Sequence, residues 1–303
     1  MRCQHSQPLQ FASISLFTAT LSPPYLGCPQ IGSRCAASIY CANGRFGPCL
    51  LQAEILDLVT SAEHRLDGYR MIEKYIKHIV ENFATIVQPT LVPIYASKAH
   101  DATLPDQVGT GFILSHNSRP MLVTAKHTLF GQDGKDEAGE KAFHADGKWV
   151  YVGDVNSEVY CVKDHDIACF YAGQLADRPC MEICNINTTP SSPITIGGWL
   201  ARDFKRPGAT LQPKPYIFTG ASEETADGLI SLQYRRSKVK SINNEMLQTA
   251  PIPRGLSGGP MLNSARLALG QVSLVGVFTE QDGGSARGEP SAVLEQLLAS
   301  TLP

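Results

Sequence analysis

The run PIPRGLSGGPML, residues 251–262, sets Ser257 among glycines inside an apolar stretch bounded by prolines. A serine hydroxyl attacks a carbonyl only when a base takes its proton, so the run acquires chemistry only if a histidine belongs with it. Gly255 to Gly259 satisfies G-x-S-x-G, the strained turn that mounts a nucleophile at the top of some α/β sheets. In those sheets the acid and then the histidine follow the serine, whereas the last of the eight histidines here is His165. The base must therefore lie upstream.

The upstream candidates to look for, in the order His, Asp, Ser, are a histidine just after a buried strand and an aspartate opening another. In VGTGFILSHNSRPMLVTAKHTLF, residues 108–130, two apolar runs flank the polar turn SHNSRP, and His127 follows the second run. This predicts His127 at a strand end, held by a sheet and open to a cleft. His116 and His144 lack such a context. In CVKDHDIACFYA, residues 161–172, Asp166 precedes the apolar run Ile167 to Phe170, which reads as a buried strand. Asp164 is its rival, because strand alternation puts positions 164 and 166 on one side.

The segments GTGFIL, LVTAKH, DIACF and GLSGGPML together resemble the signature segments of trypsin-like serine peptidases, nearest the bacterial Deg-type branch. The intervals of 39 residues from His127 to Asp166 and 91 from Asp166 to Ser257 fit a His and Asp on a first barrel and a Ser on a second. The resemblance spans about residues 85–300. It implies a serine endopeptidase acting on peptide or protein substrates without metal or organic cofactor. Ser257 Oγ would attack the scissile carbonyl, His127 would carry the proton to the leaving amine, and Asp166 would fix the imidazole tautomer. Asp166 is preferred to Asp164 because it stands directly before IACF.

The same resemblance assigns the oxyanion hole to the N–H groups of Gly255 and Ser257, with a glycine at 255 where a β-carbon would oppose the backbone. It puts Pro251 at the base of the substrate pocket and the run 273–278, including Ser273 and Val275, along one wall. Neither part supplies a charge, so small or medium apolar side chains are expected next to the cut. Leu256 departs from the animal trypsin pattern, in which an aspartate there pairs with a newly cut N-terminus. The oxyanion loop must be organised by packing or by a partner instead. A catalytically silent module of the same fold, binding a partner in the cleft, is the alternative from a different class.

These residues need a scaffold. From Ala53 to Phe83 the pattern is helical, with Ile72, Tyr75, Ile76, Ile79, Val80 and Phe83 on one face. Two placements stay open for this helix: packed on the outside of the barrel, or docked on a partner or second copy. Beyond Ala84, short β-rich runs such as LVPIYA, KWVYVG, PITIGGWL, KPYIFTG and LGQVSLVGVFTE alternate with polar turns, and no helices separate them. Together with the resemblance this predicts an all-β-dominated fold of two six-stranded antiparallel barrels of chymotrypsin type, with an N-terminal and a short C-terminal helix. GEPSAVLEQLLAS reads as that last helix, with Ser291 as its N-cap. The PDZ-type domain of many Deg-type proteases is not expected after it. The expected organisation is an extension at 1–52, a helical appendage at 53–84 and a peptidase domain at 85–303, whose barrels meet near 175–190.

The chain of 303 residues, 43% hydrophobic, is long enough to bury two cores. A net charge of −2 makes no electrostatic case for nucleic acid. Residues 1–53 hold three arginines, no acid and five of the nine cysteines, without periodicity. A weak export signal at FASISLFTATL, a targeting peptide or an unfolded extension would each account for this segment. Cys161, Cys169, Cys180 and Cys184 lack zinc-site spacing, so no metal is expected. Their irregular framework favours reduced thiols and a cytoplasmic compartment over export. No stretch reaches the length of a membrane span.

Overall fold

The structure, a computed structural model, describes residues 65–96, 106–132, 134, 140–145, 148–155, 158–182, 185–186, 193–201, 215–234, 251–282 and 284–301. The extension expected at 1–52 lies outside the described residues, as do residues 53–64. Helix α1 (Arg65–Asn82) opens the described chain. Its first turns, 65–74, belong to a separate unit, and the unit that carries both sheets includes the helix from Tyr75 onward. Ile76, Ile79 and Phe83 are buried at the expected helical spacing, with Tyr75 half-buried beside them. From Tyr75 on, the stripe is buried within the unit that carries both sheets.

Two curled antiparallel sheets come next. The first takes β1 (Leu91–Ala96), β2 (Asp106–His116), β3 (Arg119–Thr124), β4 (Lys141–Ala145), β5 (Lys148–Tyr151), β6 (Val159–Cys161) and β7 (Ala168–Tyr171), in the spatial order β5-β4-β1-β2-β3-β7-β6. The second holds β9 (Ile194–Gly198), β10 (Tyr216–Gly220), β11 (Ser222–Glu224), β12 (Ile230–Gln233), β13 (Pro260–Asn263), β14 (Ser273–Asp282) and β15 (Ser285–Pro290), in the order β10-β9-β13-β14-β15-β12-β11. A short parallel strand, β8 (Asn185–Ile186), pairs with the start of β14. Two curled antiparallel sheets forming half-barrels, with an N-terminal and a C-terminal helix, are consistent with the fold expected from the sequence. The halves carry seven and eight strands among the described residues rather than six each, because short pieces such as β6, β8 and β11 join the sheets.

Local chemistry sets the register that matters. Asn117 and Ser118 both have positive φ, 51° and 61°, which makes the two-residue loop whose twist matches a right-handed β-hairpin. With that loop fixed, His116 faces Arg119 and Gly111 faces Thr124, so β3 ends where the chain turns into helix α2 (Lys126–Phe130). His127 therefore sits in the first turn of a short helix after the strand, not on the strand itself.

Each half has an apolar core, with Ile113, Leu122, Phe143 and Phe170 in the first and Ile196, Phe218, Tyr234 and Phe278 in the second. A third cluster joins the halves: Phe112, Val123 and Ile167 from one and Leu262, Leu274 and Val277 from the other, with Ile79 and Phe83 of the α1 stripe. Leu294, Leu297 and Leu298 of the C-terminal helix (Ser291–Ser300) complete it. The expected cap shifts by one residue: Pro290 is the N-cap, and Ser291, inside the first turn, makes no capping bond. Proline supplies the extended φ and ψ of a cap while its ring presets the entry to the helix. No helix among the described residues is long and apolar enough to cross a membrane.

Candidate active site

His127 and Asp166 meet beside the neighbouring ends of two paired strands, β3 and β7. Pairing of β3 with β7 sets Thr124 against Ala168, so the residue after one strand and the residue before the other come together. One carboxylate then holds the histidine twice. Asp166 Oδ1 accepts the main-chain N–H of His127 at 2.8 Å, and Oδ2 lies 2.5 Å from Nδ1. A carboxylate bound at both the backbone and the ring fixes ring orientation and leaves Nε2 as the open nitrogen. Asp164 is exposed in the turn, and both of these bonds go to Asp166.

The Ser257 loop is built largely from backbone. Gly255 and Gly258 have φ of +94° and +89°, a region closed to most side chains, and both are buried. A β-carbon on Gly258 would overlap the carbonyl of Thr110 and the hydroxyl of Thr124, and lie 2.8 Å from the N of Ala125. Those contacts put the loop directly against the end of β3, two residues before His127. Thr110 N donates to Ser257 O at 2.8 Å, while Gly258 N donates to Phe278 O at 2.7 Å and Phe278 N to Gly259 O at 2.9 Å. The nucleophile candidate is thus wedged between β2 and β14.

Two buried side chains of β2 support the loop from beneath. Gln107 Nε2 donates to the carbonyls of Gly109, Gly255 and Trp199, and Thr110 Oγ1 donates to Gly255 O at 2.7 Å while accepting the N–H of Trp199 at 2.9 Å. Leu256, 2% exposed, packs into the second core in place of a charged group. The loop's described contacts are packing and neutral hydrogen bonds within the chain.

The N–H groups around the serine differ in what they meet. Those of Leu256, Gly258 and Gly259 bond to Pro253, Phe278 and Leu256. Among the described residues, those of Gly255 and Ser257 meet no protein acceptor. Ala201 N holds the carbonyl of Arg254 at 2.9 Å, and because the peptide is planar and trans this turns the Gly255 N–H to the opposite side. Ser257 Oγ donates to Thr279 O at 2.8 Å, and among the described residues it makes no bond to His127.

The pocket residues read from the sequence divide. Pro251 is buried in the segment leading to the loop, with its carbonyl held by Tyr234 Oη at 2.8 Å. Ser273 and Val275 do not reach Ser257. β14 touches the serine at Thr279, and at about 3.3 Å per residue those two side chains lie roughly 20 and 13 Å back along the strand. Ser273 is buried where β14 meets β8, and Val275 is in the second core.

Glu289 was not read from the sequence at all. It is a buried acid on β15 whose Oε1 accepts the N–H of Asp166 at 2.8 Å and whose Oε2 lies 2.8 Å from His165 Nδ1. Its only signal was an acid just before the last helix, in GEP, where the pattern gives no hint of a strand. Among the described residues there is no group of three or more His, Cys, Asp or Glu able to hold a metal ion.

No protein-family model matches the chain, and no curated protein does. Solved structures do. The serine protease of a human pathogenic astrovirus is 16% identical with a TM-score of 0.42, over 68% of this chain and 91% of its own. An inactive mutant form of Rv3671c from M. tuberculosis H37Rv is 16% identical with a TM-score of 0.40, over 73% and 92%. The HtrA-type protease AlgW with a tripeptide is 16% identical with a TM-score of 0.45, over 73% and 62%. These three are trypsin-like serine proteases, and at 16% identity the likeness is one of fold.

Proposed function

We propose that the chain is a serine endopeptidase in which His127, Asp166 and Ser257 act as the triad. The observation that carries this reading is the double clasp of Asp166 on His127, with the Ser257 loop seated against the same strand end. Ser257 Oγ turns from Thr279 O towards His127 Nε2, gives up its proton there and adds to the scissile carbonyl. The negative oxygen formed is held by the N–H groups of Gly255 and Ser257. His127 passes the proton to the leaving amine, the peptide bond breaks and an acyl-serine remains. Water, deprotonated by the same histidine, releases the acid and restores the serine hydroxyl. Pro251 and the end of β14 near Thr279 line the pocket for the side chain before the cut, which is of small or medium apolar type.

A second reading rests on one observation, the Ser257 hydroxyl bonded to Thr279 O. A serine held there permanently would make the cleft a binding site for a peptide partner without chemistry. A fluorophosphonate probe separates the two. The enzyme is labelled at Ser257, and Ser257→Ala and His127→Ala each lose labelling and at least about 10⁴-fold in kcat, with the double variant little worse than either. A purified, folded protein that refuses the probe is the binding module.

A further inference from the structure

We infer that Glu289 is a positioning residue for Asp166, a carboxylate from the second half of the molecule that holds the acid of the first half in register with His127. The inference rests on the triad reading above and names a residue that acts through another. Glu289 has a side chain only 6% exposed. A buried carboxylate is costly unless its oxygens are bonded, so its partners are the reason it is tolerated. Both partners lie on the turn that carries the acid: the Asp166 N–H on one oxygen and the His165 ring on the other, 123 and 124 residues away in sequence.

That turn has little support of its own. Between β6 and β7 its internal bond, His165 N to Val162 O, is 3.4 Å long, and Lys126 Nζ reaches the carbonyl of Lys163 at 3.1 Å from the solvent side. Glu289 supplies the two short bonds. Its own strand is firmly placed, because Glu289 pairs with Val277 and Gly288 with Phe278, the residue whose backbone holds Gly258 and Gly259. One strand pair thus anchors the serine loop through β14 and the acid's turn through β15. A continuous path runs from Glu289 to the main chain of Asp166, through its carboxylate, to both nitrogens by which it grips His127. A structural ion pair between halves would need only His165. The bond to the Asp166 N–H is what points to positioning.

The test compares Glu289→Leu with Glu289→Gln, an amide of the same reach that still accepts the Asp166 N–H but carries no charge. Two quantities are read: the downfield NMR resonance of the His127 Nδ1 proton, assigned by its loss in His127→Ala, and the rate of fluorophosphonate labelling at Ser257. Displacing a reacting group by about 1 Å costs about 10²-fold, so Glu289→Leu is expected to broaden or lose the resonance and to slow labelling by about that factor. Glu289→Gln is expected to restore the resonance and to label within about fivefold of the parent, since it keeps the geometry. Should Glu289→Leu fail to fold, Glu289→Asp, one methylene short of the Asp166 N–H, takes its place. A folded Leu or Asp variant with the parent's resonance and labelling overturns the inference, as does a Gln variant no better than Leu. If the parent refuses the probe while the resonance still responds as stated, the serine chemistry fails and the positioning of Asp166 by Glu289 stands.

Discussion

The two arms of the cleft are held by different physics. The His127–Asp166 arm is gripped by carboxylates, one on the histidine and a second, Glu289, behind the acid, with both joining elements far apart in sequence. Among the described residues the support of the Ser257 arm is neutral: glycines at positive φ, hydrogen bonds from Gln107 and Thr110, and the apolar Leu256 hold it. Under the proposed function, the difference matches what each arm would do. A histidine needs one ring orientation, which a bidentate carboxylate enforces. An oxyanion site needs free N–H groups and close backbone approach, which leaves no room for side chains. The first arm should therefore be sensitive to the chemistry of single side-chain atoms, and the second to the presence of any side chain at all.

The largest effect breaks the charged arm. Asp166→Asn keeps the shape but offers an amide to a ring that needs an acceptor, and the wrong tautomer should lower kcat by about 10⁴-fold with the fold intact. Asp164→Asn, in the exposed turn, should change kcat less than about threefold, as surface substitutions clear of special features usually do. Peptide hydrolysis by the two purified variants decides, and the reverse ranking would move the acid to Asp164.

Next comes the neutral arm. Gly258→Ala places a β-carbon on the carbonyl of Thr110 and demands positive φ of an alanine. The conformation alone costs about 1–2 kcal/mol, and the overlap forces the loop off β2 and β3. Labelling at Ser257 should fall by about 10³-fold, the scale at which an oxyanion donor is lost, and the melting temperature should drop too. An active Gly258→Ala would show that the loop is not fixed by backbone contact. Gln107→Leu is milder: it removes the donor to Gly255 O and leaves Thr110 in place, for a loss of about 10- to 100-fold in kcat with KM nearly unchanged. A rise in KM alone would mean that Gln107 shapes the pocket rather than the loop.

The contrast also explains what could be read from the sequence. His127, Asp166 and Ser257 stand next to apolar strands in a fixed order, and the NS turn and the helical stripe are periodic signals, so both arms and their scaffold were visible. The supports were not. Glu289 lies in SARGEP, a strand whose residues show no apolar alternation and whose place is set by backbone pairing with β12 and β14. Gln107 and Thr110 look like ordinary polar residues at the head of β2, and their value comes from two carbonyls, of Trp199 and Gly255, contributed by distant segments. Ser273 and Val275 lie back along β14 from the serine for a related reason. A run such as SLVGVF announces a strand but not which end of it meets the serine, since that depends on pairing with β13.

The smallest effect probes the burial of β7, the strand that delivers Asp166. Cys169 lies fully inside it, and burial, with a lesser contribution from the nearby Cys161, pushes its thiol up to about 12 from an ordinary 9.0. The folded state thus favours the neutral thiol. Its contribution to stability is complete below pH 9, where the unfolded chain also keeps the proton, and is lost as pH rises from there towards 12. Between pH 8 and 10 the loss amounts to about 1.4 kcal/mol, one pH unit's worth of the unfolded thiol's ionisation. Cys169→Ala removes this dependence while adding a small, pH-independent cavity cost. Urea unfolding of both proteins under reducing conditions should therefore show their stabilities converging by about that amount from pH 8 to pH 10. Parallel curves would mean that the Cys169 thiol is hydrated, and that β7 reaches Asp166 along a looser path than the tight pairing of Cys169 with Val123 implies.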